Sequence, residues 1–333
     1  MGAAGERAAA TKKEHTLGTD AVVLMAYGSP DRLDQVAAYY TDIRRGSPPP
    51  PARLEELLAR YRAIGGGSPL SRIVERQRAA LELELASRGR PVRVYAGMRH
   101  IEPKIATVVA GMADDGVTDA VAIALAPQAS MSVEGYRRAV DAACAAVGDR
   151  APRVAFVESW CREPDFIAGL AATTGEALAR FPDPAAVRLM FTAHSLPQRV
   201  VDAGDTYPSE LADTARLVAE ALGRATYDFA YQSAGRTDEP WLGPEILAEI
   251  RRLGADGATE LVVSPVGFIA DHLEVLYDID IEAQGVARSL GIHLERPRML
   301  NDDPHLVSAL AGIVERTLPL ADAAASTPAA GSR

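Results

Sequence analysis

Eight short apolar runs, four in each half of the chain, constrain the fold more than any other feature. The first half offers residues 21–28 (AVVLMAYG), 92–98 (VRVYAGM), 119–127 (DAVAIALAP) and 153–159 (RVAFVES). The second offers 187–194 (VRLMFTAH), 227–233 (YDFAYQS), 260–268 (ELVVSPVGF) and 292–299 (IHLERPRM). Their apolar residues are nearly continuous rather than alternating, which marks strands covered on both faces, and such strands occur in parallel sheets. Between them lie stretches such as RIVERQRAALELELASRG and PSELADTARLVAEALG, with apolar residues three and four apart, the pattern of a helix that buries one face. The repeated order of strand and helix predicts an α/β protein of two βα lobes facing each other across a cleft.

The 333 residues suffice for two domains of roughly 150 each. A boundary falls near residues 160–185, where FIAGLAATTGEALARF ends at PDPAA. The expected division is a first lobe over 20–170 and a second over 171–303, with 304–318 crossing back to the first. Residues 1–19 and 321–333 are small, polar and of low complexity, so both ends are expected to be disordered. RGSPPPP (45–51) reads as a proline-stiffened loop and GGGSPL (65–70) as a flexible one opening a helix. A net charge of −10 argues against nonspecific binding to nucleic acid. The two cysteines, Cys144 and Cys161, are too few for a disulfide framework and lack a paired metal spacing, which makes a reducing cytoplasm the simplest location. No run reaches the ~18 apolar residues of a membrane span, and MGAAGERAAATKKEH lacks the apolar core of an export signal.

The chemistry concentrates at strand ends, where loops carry function. DHLEVLYDIDIEAQ (271–284) follows a buried strand, at the carboxyl end where open α/β sheets hold their ligands. Glu274, Asp278 and Glu282 stand four apart, so on an α-helix they drift by only about 40° per step and share a face. Three carboxylates on one face repel unless something positive sits there, and oxygen ligands in a row suit a divalent cation in transit. A merely solvated acidic face would have the same spacing. In FTAHSLP (191–197), His194 closes an apolar strand before Pro197 turns the chain out, which makes it a candidate proton acceptor or nitrogen ligand; a hydrogen-bonded structural histidine is the plainer reading. Trp241, in YQSAGRTDEPWLGP, reads as a wall for a flat apolar body or as an ordinary packed indole. Tyr27, in MAYGSP, is either an oxygen ligand or a rim aromatic.

Taken together, MAYGSP, YYTDIRRG, AIGGGSPL, GMRHIEP, LAPQASMSVEGY, FTAHSLP, QSAGRTDEPWLGP and SPVGFIADHLEVLYDID resemble the ferrochelatase family over residues 20 to 318. The resemblance implies two similar Rossmann-like lobes, each a four-stranded parallel sheet flanked by helices, with a porphyrin cleft between them. It implies an enzyme that inserts ferrous iron into a porphyrin, with Fe²⁺ as substrate and no tightly bound cofactor. The chain is most similar to the Gram-positive branch acting on coproporphyrin III. Some relatives hold a [2Fe–2S] cluster on four cysteines, a set that two cysteines cannot supply.

The same resemblance makes His194 and Glu274 the catalytic pair and adds Tyr27, Asp278 and Glu282 as metal contacts. It assigns Tyr27, Arg44, Arg45, Ser68 and Tyr136 to the porphyrin, with Arg99 and His100 as further wall residues, and Trp241 joins them as the wall read from its own segment. Arginine pairs bidentately with the propionates of such a substrate. The expected protein is a cytoplasmic monomer in transient contact with neighbouring haem-pathway enzymes. The rival readings are a protoporphyrin IX ferrochelatase, a cobalt or sirohydrochlorin chelatase, a tetrapyrrole carrier without catalysis and an exported solute-binding protein.

Overall fold

The computed structural model describes residues 20–235 and 237–318; the expected disorder of 1–19 and 321–333 lies outside the described residues. Strands β1 (Asp20–Ala26), β2 (Arg93–Met98), β3 (Asp119–Ala124) and β4 (Arg153–Val157) form one sheet in the order β2-β1-β3-β4. Strands β5 (Arg188–His194), β6 (Asp228–Gln232), β7 (Glu260–Ser264) and β8 (His293–Glu295) form a second in the order β6-β5-β7-β8. Every pairing is parallel. The two sheets share one topology, as the repeated apolar runs predict.

Why the runs are continuous is clear from β1, the inner strand whose residues Ala21 to Met25 are fully buried. Val22 and Leu24 face one core cluster, whereas Ala21, Val23 and Met25 face another, so neither side of the strand can be polar. Three strands stop three or four residues short of the apolar runs that contain them, and each of those runs carries a proline, which lacks the ladder donor. β3 ends before Pro127, β7 at Ser264 before Pro265, and β8 at Glu295 shortly before Pro297.

One core cluster is common to both sheets. It joins Val22, Leu24 and Ile123 to Leu189, Phe191 and Val262 through helices Leu70–Ser87, Pro164–Leu178 and Pro304–Thr317. The last of these helices packs on the other two. Full burial of a side chain such as Leu310 or Phe191 is worth about 1.5–3 kcal/mol, so the shared layer holds the sheets together over many such residues. The carboxyl ends of the strands open onto one cavity.

Candidate active site

β5 delivers His194 at its last position. The imidazole Nδ1 lies against the Ser195 carbonyl, which can only accept, so Nδ1 carries the hydrogen and Nε2 keeps the lone pair in the neutral ring. Ser195 fixes this corner by donating its hydroxyl to the Leu242 carbonyl at 2.8 Å and its N–H to the Gln232 carbonyl at 2.8 Å. Buried Tyr207 hydrogen-bonds to the His194 main chain.

Glu274 opens the second strong segment, and here the structure corrects the α-helix expectation. Glu274–Ala283 is a π-helix, and at its end the Gln284 N–H bonds to the Ile279 carbonyl, five residues back. Such a helix has about four and a half residues per turn, so side chains four apart still share a face and drift the opposite way. Val275, Ile279 and Ala283 form the fully buried stripe of this wider helix. Glu274, Asp278 and Glu282 run beside it as a row.

The partner of Glu274 was not expected. His272 Nε2 stands 3.4 Å from Glu274 Oε2, and His272 Nδ1 donates to the Ala270 carbonyl at 2.8 Å. With Nδ1 fixed as donor, an unprotonated Nε2 would face the carboxylate acceptor to acceptor. Nε2 is thus the His272 ring nitrogen turned toward the Glu274 carboxylate.

Asp278 is buried behind Glu274. Burial, chiefly, with the Glu274 and Glu282 charges, pushes its carboxyl up to about 7 against the pull of the Ser233 hydroxyl and Arg60. Ser233 reaches it by adopting the left-handed conformation, φ 61°, and donates to Oδ2. Arg60 Nη1 lies 3.5 Å from Oδ1, which has no hydrogen-bond partner among the described residues. The same guanidinium sits 4.9 Å from the centre of the Tyr277 ring. Glu282 is half-buried farther along the row.

His194 and Glu274 line a single cavity of about 700 Å³, shared with Tyr27, Arg44, Tyr136 and His272. That volume lies within the range of about 300–1,000 Å³ usual for small-molecule sites. Tyr27 stands at the end of β1 and packs against the His100 ring at 4.4 Å, while His100 Nδ1 meets Asp42 at 2.7 Å and Lys104 meets the other Asp42 oxygen at 2.7 Å. Burial pushes the phenols of Tyr27, Tyr39, Tyr61, Tyr136 and Tyr207 up, so near neutrality they are uncharged hydrogen-bonding groups. Burial likewise lowers His100.

Several expected contacts stand elsewhere. Ser68 is buried outside the cavity lining: its N–H bonds to the Pro30 carbonyl and its hydroxyl accepts from the Leu70 N–H at the start of a helix. Arg45 is exposed in a left-handed turn, φ 55°, beside the cavity-lining Arg44. Trp241 lies one layer back, donating to cavity-lining Thr237 at 2.9 Å over Gly235, where a Cβ would come 2.3 Å from the indole. Arg99 sits behind Tyr136, 5.8 Å from its ring. Asp278 and Glu282 lie outside the lining. Among the described residues no three His, Cys, Asp or Glu side chains gather closely enough to cage a metal ion. A row of acids spaces its oxygens along a path and not around a point. Residue spacing did not reveal Arg53, Arg60 and Gln77, which line the cavity from helices of the first half. His272 was visible two residues before Glu274, but its tautomer was not.

Two facing parallel sheets with a histidine and an acid helix at their strand ends define a chelatase-like protein. Among solved structures, the fold is similar to SirB from Bacillus subtilis with Fe³⁺, at TM-score 0.57 and 13% identity, covering 90% of this chain and 95% of that one. The sirohydrochlorin chelatase SirB from Bacillus subtilis subspecies spizizenii in complex with cobalt matches at TM-score 0.53 and 10% identity, over 90% and 94%.

The ferrochelatase family model matches residues 19–318, and the chain belongs to that family. It is a metal chelatase. The coproporphyrin III ferrochelatase of Geobacillus kaustophilus is 44% identical over 302 residues, 89% of this chain and 95% of that protein. The ferrochelatase of Thermus thermophilus is 44% identical over 317 residues, covering 90% and 99%. The ferrochelatase of Herpetosiphon aurantiacus is 43% identical over 298 residues, covering 88% and 97%. No helix among the described residues is long and apolar enough to cross a membrane.

Proposed function

We propose that this chelatase inserts ferrous iron into coproporphyrin III to give coproheme, with His194 and Glu274 as the reacting pair. The observation that carries the reading is the pinned His194 ring, with Nδ1 held by a carbonyl and Nε2 left as the basic atom, in the same cavity as the Glu274–His272 pair. Insertion exchanges one Fe²⁺ for two pyrrole protons. His194 Nε2 accepts one proton, and the Glu274–His272 pair takes the other. Asp278, pushed up to about 7, passes protons onward near neutrality, and Glu282 extends the row that guides the incoming cation.

Tyr27 approaches the ring from the first lobe and offers iron an oxygen. Arg44, Arg53 and Arg60 give the cavity wall the cations that substrate propionates require, and Tyr136 adds an aromatic face. The branch assignment is supported by the coproporphyrin III relative at 44% identity. On this reading the enzyme is a cytoplasmic monomer with iron as substrate and no tightly bound cofactor. Its two cysteines are half-buried Cys144 and buried Cys161, short of a four-thiolate cluster set.

The test is an anaerobic insertion assay comparing coproporphyrin III with protoporphyrin IX at equal Fe²⁺. A higher kcat/KM for coproporphyrin III is the expected result. A preference for protoporphyrin IX refutes the substrate assignment and leaves the family unaffected.

A further inference from the structure

β6 lies beside β5 with Gln232 as the register partner of His194. In parallel pairing, partner side chains leave the same face of the sheet, and Thr192, two residues before His194, shares that face. The Gln232 amide is almost fully buried, 1% exposed, and is satisfied at both ends. Its Oε1 accepts from the Thr192 hydroxyl at 2.9 Å, and its Nε2 donates to the Glu274 carbonyl at 2.9 Å. Its own carbonyl accepts from the Ser195 N–H at 2.8 Å. One residue thus grips β5 on both sides of His194 and the first turn of the π-helix at Glu274. The amide cannot be reversed, because the Glu274 carbonyl offers no hydrogen to an oxygen.

We propose that Gln232 is a positioning residue for metal insertion: it sets the separation of His194 and Glu274 without touching porphyrin or iron. The inference rests on the reading of those two residues as the reacting pair. A misplacement of about 1 Å in such a pair costs on the order of a hundredfold in rate.

The experiment compares Gln232→Leu and Gln232→Glu with the unaltered enzyme in anaerobic Fe²⁺ insertion across pH, at a temperature well below each protein's Tm. Both variants are expected to lose at least about tenfold in kcat near pH 8 while KM for porphyrin stays within about twofold. In Gln232→Glu the introduced carboxyl, once protonated, can donate to the Glu274 carbonyl as the amide does. That variant is therefore expected to recover kcat relative to the unaltered enzyme at the same pH as pH falls, and Gln232→Leu is not.

Zn²⁺ titration without porphyrin supplies a readout independent of turnover, and weaker Zn²⁺ binding in Gln232→Leu is expected. Unchanged kcat in both variants, or an equal loss in both with no recovery at low pH, overturns the proposal. Turnover retained in His194→Ala or Glu274→Ala refutes the reacting pair instead; Zn²⁺ affinity unchanged in Gln232→Leu then overturns the positioning role as well.

Discussion

Replacing Asp278 with asparagine removes a carboxyl whose ionised form the fold disfavours. In the folded protein this group titrates near 7, against 3.8 for the ordinary side chain, because it is buried beside Glu274 and Glu282 with only Ser233 and Arg60 in opposition. Below the lower value both folded and unfolded chains hold the proton, and the contribution to stability is fully present. As pH rises, the unfolded chain releases its proton first, so stability is lost across the window from 3.8 to about 7 and stays lost above it. The shift spans about three units at roughly 1.4 kcal/mol each, a penalty of about 4 kcal/mol at alkaline pH. Asparagine keeps an oxygen for the Ser233 hydroxyl and carries no titrating proton.

The assay is urea unfolding of metal-free protein in chelator between pH 5 and 8. The stability of Asp278→Asn relative to the unaltered protein should grow by about 3 kcal/mol over that range. A difference that stays constant with pH refutes the reasoning, since it would mean that Asp278 is ionised throughout.

Leu310 is fully buried in the core layer common to both sheets, so Leu310→Ala should cost about 2–5 kcal/mol, with both sheets melting in one calorimetric transition; two separated transitions would contradict the shared core. At Gly135 an added Cβ would lie 2.4 Å from Arg99 Nη1, so Gly135→Ala should displace the guanidinium from its place beside Tyr136. Porphyrin should then bind several-fold more weakly by fluorescence titration, while stability changes by less than about 1 kcal/mol because alanine favours the helix.

The eight strands were legible because strands covered on both faces have no polar alternation to confuse them. Their ends were less so: the ladder stops inside three runs that remain apolar, those carrying prolines at 127, 265 and 297. The acids at 274, 278 and 282 were legible as a row because a spacing of four keeps side chains aligned in α- and π-helices alike, and for the same reason the spacing concealed which helix forms. His194 could be placed at a strand end from FTAHSLP. The carbonyl that sets its tautomer could not, because that is a matter of side-chain rotation. Arg60 and Gln232 reach the acid helix from distant segments, and no local pattern announces such a meeting. Ser68 was named by resemblance alone, and its burial could not be read from the glycine-rich loop because it depends on the loop folding back to bond with Pro30.

Single-turnover anaerobic insertion by His194→Ala, with porphyrin binding measured on the same sample, tests the central claim most directly. Porphyrin affinity within about threefold of the unaltered enzyme, with insertion slowed by at least about a hundredfold, is the predicted result. Insertion at an undiminished rate would place the proton acceptor on another residue and contradict the account.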